Sequence, residues 1–254
     1  MVRMIAPFLL MSLVSLGQGQ VSLSKRDPAE WKRLETLVRS GDWHEREKGF
    51  HILADLECSD RPAVDLLFEL IRTENEFIDG NNAKGTGTEE GFNEFYYSEM
   101  LGHSFACFKA TPKPEWFRIL ALGTYNPESE FARELAGYLD GEQLPWLIDI
   151  APRHTSQYKR ANLYPLLVWT VLGHPNWPAE QRSAVLAAAA RGMDDPQSYV
   201  WACTAFSLAE SGLPETADLL TKAKTKLSKR PGITPGSLRT IDKAIEMAGK
   251  KASQ

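Results

Sequence analysis

Five residues of the N-terminal half have the types and spacing of a metal site. His44, Glu47 and His51 stand at i, i+3 and i+7, so one helix would carry all three on a single face. Glu99 and His103 form an i, i+4 pair on a later helix, expected to stack beside the first. Neutral imidazoles and carboxylates from two adjacent helices are a donor set for zinc or iron. The competing reading is ordinary helix-surface hydrogen bonding between Glu and His. Asp79, Asn81 and Glu90 occupy positions 1, 3 and 12 of a calcium-loop spacing. Ala83 and Lys84, however, stand where a calcium loop needs an oxygen ligand and a turn glycine. The stretch therefore reads as a plain surface insertion. Trp43, Glu76, Asp79, Asn81, Asn82 and Tyr97 are the candidates for touching a partner: a tryptophan near a helix start, a polar insertion and a flanking aromatic. No nucleophile elbow, phosphate-cradling glycine loop, dinucleotide fingerprint or paired-cysteine metal motif occurs, so no catalytic residue and no cofactor is assigned.

The elements that must position these residues are helices. Trp31, Leu34, Leu37 and Val38 share one face behind Pro28, which is suited to a helix's first turn. A second helix is predicted from Asp42 to Glu57, and a third from Arg61 through Ile71. A polar, glycine-rich loop from Thr73 to Thr88 follows. The helix predicted over Glu89 to Lys109 carries Phe92, Phe95, Tyr96, Tyr97, Phe105 and Phe108 on several sides, which implies burial between neighbours. Beyond it, prolines punctuate shorter helices, and Pro165 should kink an apolar helix from Gln157 to Leu172. Trp116, Trp169 and Trp201 fall in apolar runs and read as core. Trp43, Trp146 and Trp177 fall near helix starts. No period-two strand pattern appears, so the fold class is all-α.

The helices also repeat. Asn126-Pro127 opens one with Phe131, Leu135 and Leu139, and Asp195-Pro196 opens one with Val200, Ala205 and Leu208. A shorter copy runs from Asp42 through Phe50 to Leu53. Pairing each such helix with its predecessor gives about six two-helix units, the organisation of an α-solenoid. In these residues the chain resembles the HEAT-repeat family, whose second helices open with a similar Asp-Pro and carry valine, alanine and leucine at comparable spacing. The Val-Arg step common in that family is absent at Val200-Trp201 and Phe131-Ala132, which leaves a tetratricopeptide-like or irregular solenoid open. The resemblance implies a right-handed superhelix whose second helices line a concave, protein-binding face, and it implies no chemistry. HEAT-type deoxyhypusine hydroxylases hold iron through repeated His-Glu pairs; here only His44-Glu45 has that form.

Arg3, the apolar run Ile5 to Leu16, and Gly17 and Gly19 follow the order of a secretory signal, so residues 1–19 are read as signal peptide and 20–254 as one helical-repeat domain. A retained anchor is the alternative. The expected location is secreted or periplasmic, without stable membrane insertion once the signal is removed. Cys107 and Cys203 lie in apolar helical patterns. Cys58 and Cys107 end equivalent helices of successive units; an oxidising compartment permits them to bond, and the reading taken is two free thiols.

The net charge of −4 conceals an asymmetry, with 15 acidic against 5 basic residues between Asp42 and Met100 and a basic run from Lys222 to Arg230. That run is too short, in too acidic a chain, to point to nucleic acid. The expectation is an exported scaffold that binds a protein or peptide partner. The alternatives are a metal-binding helical-repeat protein, an enzyme in one form of that reading, and an envelope component that self-associates through its acidic and basic ends.

Overall fold

The computed structural model describes residues 27–84, 94–123, 125–127, 129–172 and 176–252, with side chains for all of these except 81–84, 94, 95 and 252. The fold is all-helical, with no strand among the described residues. In chain order the helices are α1 (Pro28–Val38), α2 (Trp43–Ala54), α3 (Arg61–Lys84), α4 (Glu94–Ala110), α5 (Pro114–Ala121), α6 (Glu130–Ala136), α7 (Gln143–Ile150), α8 (Gln157–Leu167), α9 (Ala179–Met193), α10 (Ser198–Glu210), α11 (Pro214–Leu227) and α12 (Pro235–Ala252).

Local chemistry explains the starts. Asp27 caps α1 by accepting from the Ala29 amide at 2.9 Å, and Pro28 fills the first turn, where no amide donor is needed. Asp42, Ser129 and Ser156 cap α2, α6 and α8 in the same way. The Asn-Pro and Asp-Pro pairs lie upstream of the helices they were expected to open. Helix α6 begins at Glu130 behind Ser129, and α10 begins at Ser198 behind Gln197. A residue before proline is pushed out of the helical region, so each pair makes the approach rather than the first turn.

Packing runs between most successive helices and between many helices and the next but one. Helices α2 and α4 touch, as do α6, α8, α10 and α12 in series; α1, α3 and α5 form a second series, and α7, α9 and α11 a third. The core between these layers is mostly apolar, with a few buried polar and charged side chains set into it. Phe68 stacks on Trp116 with ring centres 4.5 Å apart, and Tyr97, Phe108, Phe117, Leu120 and Trp201 are buried. Tyr96, Tyr97, Phe105 and Phe108 of α4 are all buried, as expected of a helix enclosed by neighbours. Close approach is tightest at Gly49, Gly123 and Gly192 among the described glycines. A Cβ on Gly49 would lie 3.0 Å from Val38 Cγ2, and one on Gly192 would lie 2.9 Å from Thr204 Oγ1 and 3.0 Å from the Tyr164 ring.

Three expectations change. Residues 73–84 are not a loop: α3 continues through them to Lys84. The apolar stripe that would have revealed this contains polar residues, since Ile71, Glu74, Asn75 and Ile78 are all buried at helical spacing. A helical Asp79 and Asn81 also rule out the calcium-loop geometry, which needs a sharp turn there. Residues 85–93, including Glu90, lie outside the described residues. Second, Cys58 and Cys107 are joined by a disulfide, with Cα atoms 4.9 Å apart, so the two-free-thiol reading is wrong. Cys58 lies in the turn after α2 and Cys107 in α4, which packs against α2, and that brings them within bonding range. Third, Pro165 lies inside α8 without ending it: the helix runs on to Leu167, and the chain continues as a π-helical turn over Val168–Leu172. That turn carries Trp169, which is half-buried rather than core, whereas Trp116 and Trp201 are core.

Candidate functional site

Sequence-predicted residues divide sharply in the fold. Asp79 and Tyr97 come together around a buried lysine. Glu76 points to solvent, and Trp43 is half-buried with its ring stacked on His44 at 3.7 Å. The side chains of Asn81 and Asn82 lie outside the described residues. Of the metal candidates, only His103 belongs to a set of ligand atoms gathered tightly enough to hold an ion. Its companions are Cys58 and Cys107, not His44, Glu47, His51 or Glu99. His51 and Glu99 are exposed, and the Phe50 ring centre lies 5.5 Å from that of His51 and 6.5 Å from that of His103. A bulky core aromatic occupies the seam that the metal reading needed.

The lysine is Lys159, in the first turn of α8 and fully buried. Its Nζ donates to the Leu122 carbonyl and, at 3.2 Å, to Asn75 Oδ1. Asn75 also accepts from the Tyr97 hydroxyl and donates through Nδ2 to the Ile119 carbonyl at 3.2 Å. Asn162 Nδ2 reaches the Gly123 carbonyl at 3.2 Å, and the Tyr125 hydroxyl reaches that of Ala121 at 3.4 Å. The logic is the end of α5. Its last carbonyls have no partner in their own helix, lie where solvent does not reach, and carry the negative end of the helix dipole. Side chains from α3 and α8 close them, and a cation is the favoured donor there. Burial lowers the Lys159 ammonium to a pKa of about 8, and nearby Asp79 works against that shift.

At the rim, Asp79 Oδ2 lies 3.8 Å from His154 Nε2, and Asp79 Oδ1 is buried without a hydrogen-bond partner. Burial lowers the His154 pKa, with Asp79 opposing and Lys159 and Arg160 reinforcing. Lys159 and His154 belong to no motif, and their partners are up to 84 residues away in the chain, so no local signal could have found them.

The second polar convergence lies among α6, α8, α10 and α12. A cleft of about 350 Å³ is lined by Pro127, Arg133, Pro165, Trp169, Phe206 and Met247, with Glu210 and Cys203 also on its wall. The Trp169 indole donates to Glu210 Oε2 at 2.9 Å, and the Arg133 guanidinium lies over the same ring, 4.5 Å from its centre. Arg133 also donates to both Glu210 oxygens at 3.0 Å. The aromatic ring is thus fixed on one edge and one face and presented to an apolar-walled hollow. Such a hollow, with few polar groups held in place, is the common form of a small binding site.

The basic run is engaged within the chain. Lys222 pairs with Asp218 at 2.6 Å, Lys224 with Asp242, and Lys226 and Arg230 with Asp194 at 2.5 and 3.3 Å. Exposed pairs of this kind add little to stability, but they reduce the free positive charge offered to a partner. No helix among the described residues is long and apolar enough to cross a membrane. Comparison of the chain with family models, with curated proteins and with solved structures finds no match.

Proposed function

We propose that the chain is an exported, HEAT-like helical-repeat scaffold of six antiparallel helix pairs that holds a peptide segment of a protein partner in the Trp169 cleft. The observation that carries this reading is the cleft itself. It lies on the layer formed by α6, α8, α10 and α12, the second helices of their pairs, which a HEAT-like array uses for binding. The neighbour and next-but-one packing of the helices supports the array. The Cys58–Cys107 bond supports export, because such bonds persist in oxidising compartments, and it agrees with the signal-like order of residues 1–19.

The recognition chemistry follows from the lining. Trp169, Phe206, Pro127 and Pro165 take an apolar side chain of the partner, and Arg133 and Glu210 at the mouth fix the direction of its backbone. The test is selection from a random peptide display library against the folded protein, followed by affinity measurement. The expected result is a family of peptides sharing an apolar anchor whose affinity falls at least tenfold in Trp169→Ala. Selection of no peptide family, or binding indifferent to Trp169→Ala and Phe206→Ala, overturns the proposal. Export is tested separately by fusing residues 1–19 to a phosphatase that is active only outside the cytoplasm.

A further inference from the structure

We propose that Cys58, His103 and Cys107 form a second site, one that holds a thiophilic divalent cation of the zinc type when the disulfide is opened. The three ligand atoms already lie within 4.8 Å of one another, and His103 Nε2 is 4.0 Å from Cys107 Sγ. His103 and Cys107 are one turn apart on α4 and share a face, while Cys58 reaches in from the segment after α2. A tetrahedral zinc site with two sulfurs and one nitrogen needs the sulfurs about 3.8 Å apart and each about 3.6 Å from the nitrogen. The imidazole is therefore near its ligating distance from Cys107, and the two sulfurs move apart to theirs once their bond is broken. A rotation of the Cys58 side chain supplies such a movement, because Cys58 is half-buried in a connecting segment whereas Cys107 is enclosed within α4.

The imidazole is prepared for the role. Its ring is half-buried with Phe50 edge-on to it, and its Nε2 is on the side of Cys107 Sγ, one turn along the same helix. Opening requires a dithiol as reductant. Its thiolate attacks Cys58 Sγ, the accessible sulfur, and the Cys58–Cys107 electron pair leaves on Cys107 Sγ. The dithiol's second thiol then displaces Cys58 from the mixed disulfide, so the reagent ends oxidised and both cysteines end reduced. The cation takes two thiolates and the imidazole with release of two protons, and water fills the fourth position. Cation and disulfide thus compete for the same sulfurs, and the site is open only under reducing conditions.

The experiment uses the mature chain carrying Cys203→Ser, so that the third cysteine contributes no thiol. Oxidised and phosphine-reduced protein are titrated without oxygen, with Zn²⁺ against a chromophoric chelator and with Cd²⁺ by its thiolate charge-transfer absorbance. Far-UV circular dichroism follows helix content in parallel. The expected result is one ion per reduced chain and none per oxidised chain, at least tenfold weaker binding in His103→Ala, and loss of the charge-transfer band in Cys58→Ser. A folded, reduced chain that takes no ion overturns the proposal, and so does binding that is indifferent to His103→Ala. Should reduction unfold the chain, the proposal requires the ion to restore the helix signal in the His103 protein and not in His103→Ala. Failure to restore it refutes the site.

Discussion

Lys159 offers the sharpest test of the packing argument, because its energetic effect has a sign and a pH window. The ammonium titrates near pH 8 in the folded protein against 10.5 for an ordinary lysine. Below pH 8 both folded and unfolded chains are protonated, and the fold bears the whole cost of burying the charge. Between pH 8 and 10.5 the unfolded chain binds more protons than the folded one, so stability rises with pH across that interval. The difference corresponds to about 3 kcal/mol in full, most of which is recovered between pH 7 and pH 10. Raw profiles mix this with an opposite contribution from Tyr96, Tyr125 and Tyr164, whose pKa values burial raises and which therefore stay protonated in the fold as the unfolded chain ionises. The measurement that isolates Lys159 is the difference between wild type and Lys159→Met in urea unfolding at pH 7, 8, 9 and 10. The tyrosine contributions cancel in that difference. Wild type should gain about 2 to 3 kcal/mol on the variant from pH 7 to pH 10, a midpoint shift of about 1 M urea for a chain of this size. A gap that stays within about 0.5 kcal/mol over that range refutes the claim that the amine is held charged against burial.

Three other perturbations follow from the same contacts. Arg46 and Glu74 form a buried pair at 2.5 Å, both side chains almost wholly enclosed; Arg46→Met or Glu74→Leu alone should cost about 3 to 5 kcal/mol, while the double variant costs far less than the sum, and additive losses in urea unfolding would contradict the coupling. Gly192→Ala should lower stability by about 1 to 3 kcal/mol through its clash with Thr204 and Tyr164, whereas Gly102→Ala, with nothing within 4 Å, should raise it by up to about 1 kcal/mol; thermal melts showing the same sign for both would reject the close-approach reading. Cys58→Ser with Cys107→Ser frees a loop with a sequence separation of 49, worth about 4 kcal/mol in the unfolded chain, and a change below about 1 kcal/mol in oxidised samples would mean that the bond does not form in solution.

The helices were legible in the sequence wherever their buried faces were apolar. Leu34 and Val38, Phe50 and Leu53, and Val64, Leu67, Phe68 and Ile71 are all enclosed as their spacing implies. The pattern failed where a buried face was polar. Glu74 and Asn75 look like solvated positions in a glycine- and asparagine-rich stretch, yet they continue the inner stripe of α3. Each is satisfied by a residue that local spacing cannot supply: Arg46 from α2 for one, Tyr97 and Lys159 from α4 and α8 for the other. The partner candidates were legible only in part for the same reason. Asp79 and Tyr97 adjoin the buried lysine, but the apolar run around Trp169 reads as core. Pro165 and the π turn that follows, rather than the composition of that run, bring the ring to a cleft. The cysteines show the converse case: their equivalent positions could be read, but the choice between thiols and bond could not, because periodicity carries no redox information.

One polar spacing was present in the sequence all along, and its meaning comes only from the fold. In Asp42-x-x-x-Arg46 and Ser156-x-x-x-Arg160 the arginine stands four residues after the cap, on α2 and on α8. In both, Nη1 turns back to the carbonyl six residues earlier, Ser40 at 3.0 Å and His154 at 2.7 Å. In both, the rest of the guanidinium grips an acid on a later segment with two bonds, Glu74 of α3 in one case and Asp195 before α10 in the other. Ser129-x-x-x-Arg133 has the same spacing on α6, but its arginine is more exposed and reaches Glu210 across the Trp169 cleft instead. Apolar faces of similar helices tolerate sliding past one another, because any leucine can replace any other in contact. A two-bond arginine clamp does not, because one step of slippage leaves a charge buried and unpaired. The two enclosed clamps therefore fix which helix follows which. The third, left half in solvent, is the one free to exchange its partner, and it stands at the mouth of the cleft proposed to bind a peptide.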